Sequence, residues 1–166
     1  MPAGNHMGER TPRMGIDPRG PRFGALITTV VLAVVVITGS VWLLAAQALV
    51  FAAGAVFGLR YAPYGLLYRK LIRPRLGPPR ELEPESPPRF AQAVGLVFAV
   101  TGVIGYAAGV TWLGMVATAA ALVAAFLNGV FGFCLGCEMY LLIRRIWPGR
   151  QGVAPAGADG PPGLSS

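Results

Sequence analysis

Residues 24–59 read GALITTVVLAVVVITGSVWLLAAQALVFAAGAVFGL, 36 positions without one Asp, Glu, Lys or Arg. A helix in water cannot avoid charge for that long, so the stretch belongs in lipid. It is too long for one span. As a single helix it would measure about 54 Å at 1.5 Å per residue, against a hydrocarbon core of about 30 Å. Thr38-Gly39-Ser40 is its best turn and divides it into spans of 23–38 and 41–59.

A second run, residues 90–137, continues for 48 positions without charge. Ala108-Gly109-Val110-Thr111 divides it, giving spans of about 90–108 and 112–143. The last is longer than a span needs, which leaves it to tilt or to break near Asn128-Gly129. The predicted fold is therefore all-α: a polytopic membrane protein with a bundle of four transmembrane helices. The whole-chain composition agrees, with 54% hydrophobic and 13% charged residues, against roughly 25% charged in an ordinary soluble domain.

Charge placement predicts the orientation. All 14 basic residues lie in the N-terminal arm, in the loop 60–89 or from Arg144 onward, and neither short turn carries any. Four spans put those three segments on one side, and the excess of Lys and Arg marks it as cytoplasmic. The expected location is the plasma membrane, multi-pass, with both termini cytoplasmic. The net charge of +7 is thus a topology signal, supplemented by attraction to anionic lipid, and predicts no nucleic-acid partner. Ala46-Gln47-Ala48 matches a small-x-small cleavage pattern, but the apolar run continues past it to Leu59, so an uncleaved first span is expected.

Outside the bilayer, residues 1–22 and 147–166 read as disordered cytoplasmic ends. In the loop, Pro63 can open a short helix and Pro74 ends it. On a helical wheel Tyr64, Leu67, Tyr68, Leu71 and Ile72 share one arc, opposite Arg69, Lys70 and Arg73. That pattern predicts an interfacial helix with its tyrosines at headgroup level, an anchor for the loop or a docking surface for a soluble partner. The proline-rich 78–88 that follows predicts an extended linker.

Three glycine pairs, Gly54/Gly58, Gly105/Gly109 and Gly132/Gly136, have the spacing that lets helix backbones approach closely. They predict the bundle's internal packing or a homodimer interface. The constellation with chemical reach is Cys134-Leu-Gly-Cys137-Glu138, which contains both cysteines of the chain. At helical spacing the two thiols face nearly the same way, and Cys134 and Glu138 share a side. A carboxyl group inside a span is a functional candidate, its proton held more tightly by burial.

If the last span is one helix ending near Arg144, Cys137 lies about 10 Å and Cys134 about 15 Å inside the cytoplasmic boundary. A cytoplasmic position argues against a structural disulfide. It permits exchange with a cytosolic dithiol or with a lipid-soluble oxidant such as a membrane quinone. Packing as small hydrophobes stays open beside that reading. Metal binding lacks ligands, because the one histidine, His6, lies in the arm, and a histidine-based triad lacks the same residue.

Taken together, residues 16–23 (IDPRGPRF), 58–68 (GLRYAPYGLLY), 73–79 (RPRLGPP) and 131–141 (FGFCLGCEMYL) resemble a bacterial, chiefly actinobacterial, membrane family. It is catalogued as domain of unknown function 4395, and the resemblance covers about 16–145. The resemblance implies thioredoxin-like or sulfurtransferase partners on the cytoplasmic side, hence thiol or sulfur chemistry, and points to Cys134, Cys137 and Glu138. The expected function is a thiol-disulfide or sulfur-handling role through the CxxC. The alternatives are a proton-coupled transporter using Glu138 and a scaffold acting through Arg60 to Arg89.

Overall fold

A computed structural model describes residues 15–77 and 82–147. The ends expected to be disordered lie largely outside these residues. Its helices, in chain order, are α1 (Arg19–Thr38), α2 (Val41–Val56), α3 (Pro63–Leu71), α4 (Arg73–Leu76), α5 (Ser86–Ala107), α6 (Thr111–Phe126) and α7 (Leu135–Ile146). A π-helical turn, Leu127–Phe131, continues α6. Two short strands, β1 (Gly15–Ile16) and β2 (Glu83–Pro84), pair antiparallel.

Each uncharged run folds as a helical hairpin. Gly39 ends α1 in the left-handed region, its N–H donating to the Val35 carbonyl at 2.7 Å. Ser40 Oγ then accepts the Leu43 N–H at 3.4 Å and starts α2. Ala108 ends α5 and Gly109, also at positive φ, turns the chain into α6, whose N-cap Val110 makes no side-chain hydrogen bond. Among the described residues, three helical segments are long and apolar enough to cross a membrane: Arg19–Thr38, Ser86–Ala107 and Thr111–Phe131. The helix α2 is apolar but shorter.

Packing runs from α2 to α5, from α5 to α6 and from α6 to α1. Leu32, Val35, Leu44, Ala48, Phe51, Ala99 and Ala121 form the core between them. The outside is apolar as well: Val30, Ile37, Trp42, Leu49 and Ile104 are all exposed. A surface of that kind on every side of a bundle suits lipid as the surrounding solvent.

The glycine pairs act differently from the shared-face expectation. One member of each packs: Gly54 against Gln92, Gly105 against the backbone of Gly114, and Gly136 against Ala91. The other members, Gly58, Gly109 and Gly132, have positive φ and turn the chain. Each pair therefore has one member that packs and one that turns the chain. Two of the turning glycines, Gly58 and Gly132, are also closely approached, by Glu85 and Arg22.

The charged end is tied together by polar contacts that close α2. Arg89 donates to the Ala55 and Val56 carbonyls, at 3.0 and 2.8 Å for one of its terminal nitrogens, satisfying groups that end the helix. Glu85 accepts the Leu59 N–H at 2.8 Å. Two expectations change here. The arm is structured from Gly15, through the β1–β2 pair and the first turn of α1. The proline-rich linker ends early, because Pro87 and Pro88 sit inside the first turn of α5, where the missing N–H costs nothing.

Candidate functional site

The last uncharged segment does not run as one helix to Ile143. The π turn ends at Gly132, whose φ of 69° points the chain away. Phe133 and Cys134 are extended or irregular, and α7 begins afresh at Leu135. The Arg22 guanidinium lies over the α-carbon of Gly132, where any side chain would collide with it. A cation suits that position, because carbonyls at a helical C-terminus carry partial negative charge.

The break moves the cysteines. A depth counted along an unbroken helix no longer applies, so the 10 and 15 Å figures fall. Gly132 stands level with Arg22 in the second turn of α1, and Gly136 packs on Ala91 near the start of α5. The CxxC thus sits at the charged end of the bundle, where both neighbouring helices begin.

Cys134 and Cys137 are joined as a disulfide pair, with Cα atoms 5.1 Å apart, where the sequence reading argued against a structural disulfide. The closed loop spans a separation of three residues, and such short loops gain least from crosslinking. Cys134 is also the N-cap of α7, its Sγ accepting the Cys137 N–H at 3.3 Å. The two sulfurs are therefore inequivalent: one faces backbone N–H groups at the positive end of a helix, and the other belongs to the first turn. Both residues are half-buried, while Glu138 is exposed in that same first turn. Glu138 is exposed, so the expectation that its carboxyl group is buried does not hold.

Both cysteines and Glu138 border a cavity of about 1030 Å³ between α1, α2, α3, α5, α6 and α7. Its wall toward the core includes Phe51, Val94, Phe98 and Ala124, and Arg22, which lies against Gly132, is among its charged lining residues with Arg19, Arg60 and Glu138. Among the described residues no group of three or more His, Cys, Asp or Glu is placed to hold a metal ion.

Helix α3, expected at the membrane interface, closes one side of this cavity with its tyrosines, which face α1 instead of outward. Tyr68 is buried, stacks at 5.9 Å on Phe23 and donates to Asp17 at 2.9 Å. Tyr64 donates at 2.8 Å to Gln47, whose amide reaches Thr28 at 3.5 Å. Leu66, Leu67 and Leu71 are exposed on α3, together with Pro63, Arg69 and Lys70. Gln47 and Arg22 were missed as site residues. An amide inside an otherwise apolar helix is a signal for the first, and Arg22 is distinguished only by its place in the fold.

Burial raises both tyrosines above the usual 10.0, and the bond to Asp17 adds to the effect at Tyr68. The unfolded chain therefore releases these protons first as pH rises. Their contribution to stability is complete below pH 10.0 and is lost as pH climbs through the raised values. Thermal unfolding in detergent should show a loss of stability above that pH. A Tyr64→Phe, Tyr68→Phe variant should show a flatter profile, and an unchanged profile would contradict the assignment.

The family model described as "Domain of unknown function (DUF4395)" matches residues 16–145. No curated protein and no solved structure matches the chain.

Proposed function

The chain belongs to the DUF4395 family, and with that as premise we propose that it is a membrane thiol-disulfide relay. The observation that carries the reading is the closed Cys134–Cys137 pair at the N-terminus of α7, in the wall of a cavity. Four spans place both termini and the loop 60–89 in the cytoplasm, with α2 as the shortest span. The helix α7 then lies along the cytoplasmic surface, its Leu141, Leu142 and Ile146 exposed toward lipid and Arg144 and Arg145 at headgroup level.

In the relay, a thiolate of a cytosolic dithiol protein attacks Cys134 Sγ. The Cys134–Cys137 bond breaks, its electron pair leaves on Cys137, and a mixed disulfide forms. The partner's second thiolate then attacks its own sulfur in that mixed bond and releases Cys134 as thiolate. The partner leaves as a disulfide and the relay as a dithiol, having taken up two electrons and the partner's two thiol protons. The α7 N-terminus and Arg22 favour the Cys134 thiolate, making it the better leaving group and, in reverse, the attacking thiol. Glu138, exposed one residue after Cys137, passes the proton to and from water. The transport reading rests on an intramembrane carboxyl group, and the position of Glu138 after the break gives it no support.

The test is the redox state of the pair in native membranes, read by mass-tagged maleimide with and without prior reduction. The relay predicts two tags per chain after reduction, few before it, and a ratio that follows the supply of oxidant. A pair that stays dithiol under every oxidant, or reacts only after denaturation, would return both cysteines to packing.

A further inference from the structure

Resting on that relay reading, we infer that the cavity beside the cysteine pair is the binding site for a membrane quinone that reoxidises it. The relay ends each turn as a dithiol and needs a two-electron acceptor to close again. The cavity says which kind. Toward the core its wall is apolar, with Phe51, Val94 and Phe98 set against Ala121 and Ala124. Alanines on α6 leave space there that larger side chains would fill. Most of the polar lining is at the charged end, where Arg19, Arg22, Arg60 and Glu138 border the cavity, and Thr28 and Gln92 add polar groups further in.

A ligand matched to this has a flat body with hydrogen-bond acceptors at one end and an apolar remainder. The volume of about 1030 Å³ lies at the top of the range for small-molecule sites and admits a ring with part of an isoprenoid chain. A phospholipid would fill the apolar wall and set its phosphate on Arg22, but it accepts no electrons. A water-soluble disulfide accepts electrons and would meet the arginines, but not Phe98 or Ala124. The quinone class uses both parts and also closes the pair.

The chemistry balances without a further reagent. Cys134 thiolate adds to a ring carbon, forming an S–C bond, while the ring oxygens take the negative charge beside Arg22. Cys137 thiolate then attacks Cys134 Sγ. The S–S bond forms, the S–C bond breaks, and its electron pair stays on the ring. The two thiol protons finish on the ring oxygens, giving hydroquinone and the closed pair. Donors aimed at a developing oxyanion stabilise such a transition state, which is the role assigned to Arg22 and Asn128.

The experiment uses the full chain in nanodiscs, reduced and freed of reductant, mixed with a short-chain benzoquinone or naphthoquinone. One quinone should be reduced per chain, with loss of both maleimide-reactive thiols. An Ala124→Phe substitution fills the apolar wall and should lower quinone reduction about tenfold or more relative to the rate of exchange with a water-soluble aromatic disulfide on the same sample. An azidoquinone photolabel on the unaltered protein should mark peptides containing Phe98 or Ala124, which keeps the test open if that variant misfolds. Label confined to outer lipid-facing residues, or thiols that exchange with the soluble disulfide but leave quinone unreduced, would overturn the quinone site and spare the relay. A pair inert to both reagents would sink the relay itself.

Discussion

Removing either cysteine should abolish turnover of the proposed relay, and the two single variants should fail differently. Cys137→Ser leaves Cys134 at the N-cap of α7, with the residue-137 N–H and the Arg22 side chain still in place. It should react with an aromatic disulfide as readily as the intact dithiol does in its first step, and should stop as a stable mixed disulfide. Cys134→Ser leaves a thiol inside the first turn, without the cap. It should react about threefold more slowly, or slower still, near pH 7, because it lacks the helix N-terminus and the cation that favour a thiolate, an advantage partly offset by the lower nucleophilicity of a stabilised thiolate. The pH profiles should separate too, with Cys134 reacting at lower pH. Stopped-flow release of the aromatic thiolate reads all of this. Equal rates and profiles would mean that the α7 N-terminus does not distinguish the sulfurs, and the assignment of Cys134 as the attacking thiol would fall.

The hairpins were legible because lipid permits so few solutions: two long uncharged runs, each with one small-residue turn, at Gly39 and at Gly109. The break before Cys134 was legible only in part. A break near Asn128-Gly129 was one of two readings of the long last segment, and the π turn spans those residues. Nothing singled out Gly132 as its end, since Leu127 to Leu135 holds no proline or charge. The turn is held from outside, by Arg22 over Gly132 and Ala91 against Gly136, and contacts between distant residues leave no local trace. Arg22 was read as one of many charges marking orientation, which is all a linear sequence can show of it.

The loop helix shows the same division. The wheel correctly grouped Tyr64 and Tyr68 on one face, and that much follows from helical period. What covers the face does not follow. A lipid surface and the flank of α1 both accept tyrosines, and the choice is made by Gln47 and Asp17, 17 and 51 residues away in sequence. Gln47 drew notice only within a cleavage-like tripeptide. Its hydrogen bond to Tyr64 gives a buried amide the partner that a membrane interior requires.

Gly105→Leu should be strongly damaging to the bundle, and Gly109→Ala, four residues on, should be mild. The shared-face reading of GxxxG treats the two as equivalent. In the fold a Cβ on Gly105 would stand 2.6 Å from the Gly114 nitrogen and 3.0 Å from its Cα. Those are backbone atoms of α6 and cannot swing aside, so α5 and α6 must separate along their length. Reciprocally, a Cβ on Gly114 would meet the Tyr106 ring at 2.7 Å, so the approach is tight from both helices. Overpacking usually costs about 1–3 kcal/mol, and a backbone clash belongs at or beyond the upper end. Gly109 has nothing within 4 Å of a built Cβ. Alanine there meets only the strain of a positive φ, about 1–2 kcal/mol. Unfolding in mixed detergent micelles, followed by helical circular dichroism, should rank Gly105→Leu well below Gly109→Ala. Equal losses would mean that α5 and α6 are not in backbone contact at Gly105. The close approach at this turn also sets the splay of the two helices toward the charged end. The Gly105→Leu protein that does fold should therefore show altered quinone reduction, although the substitution lies at the end of the bundle remote from Cys134.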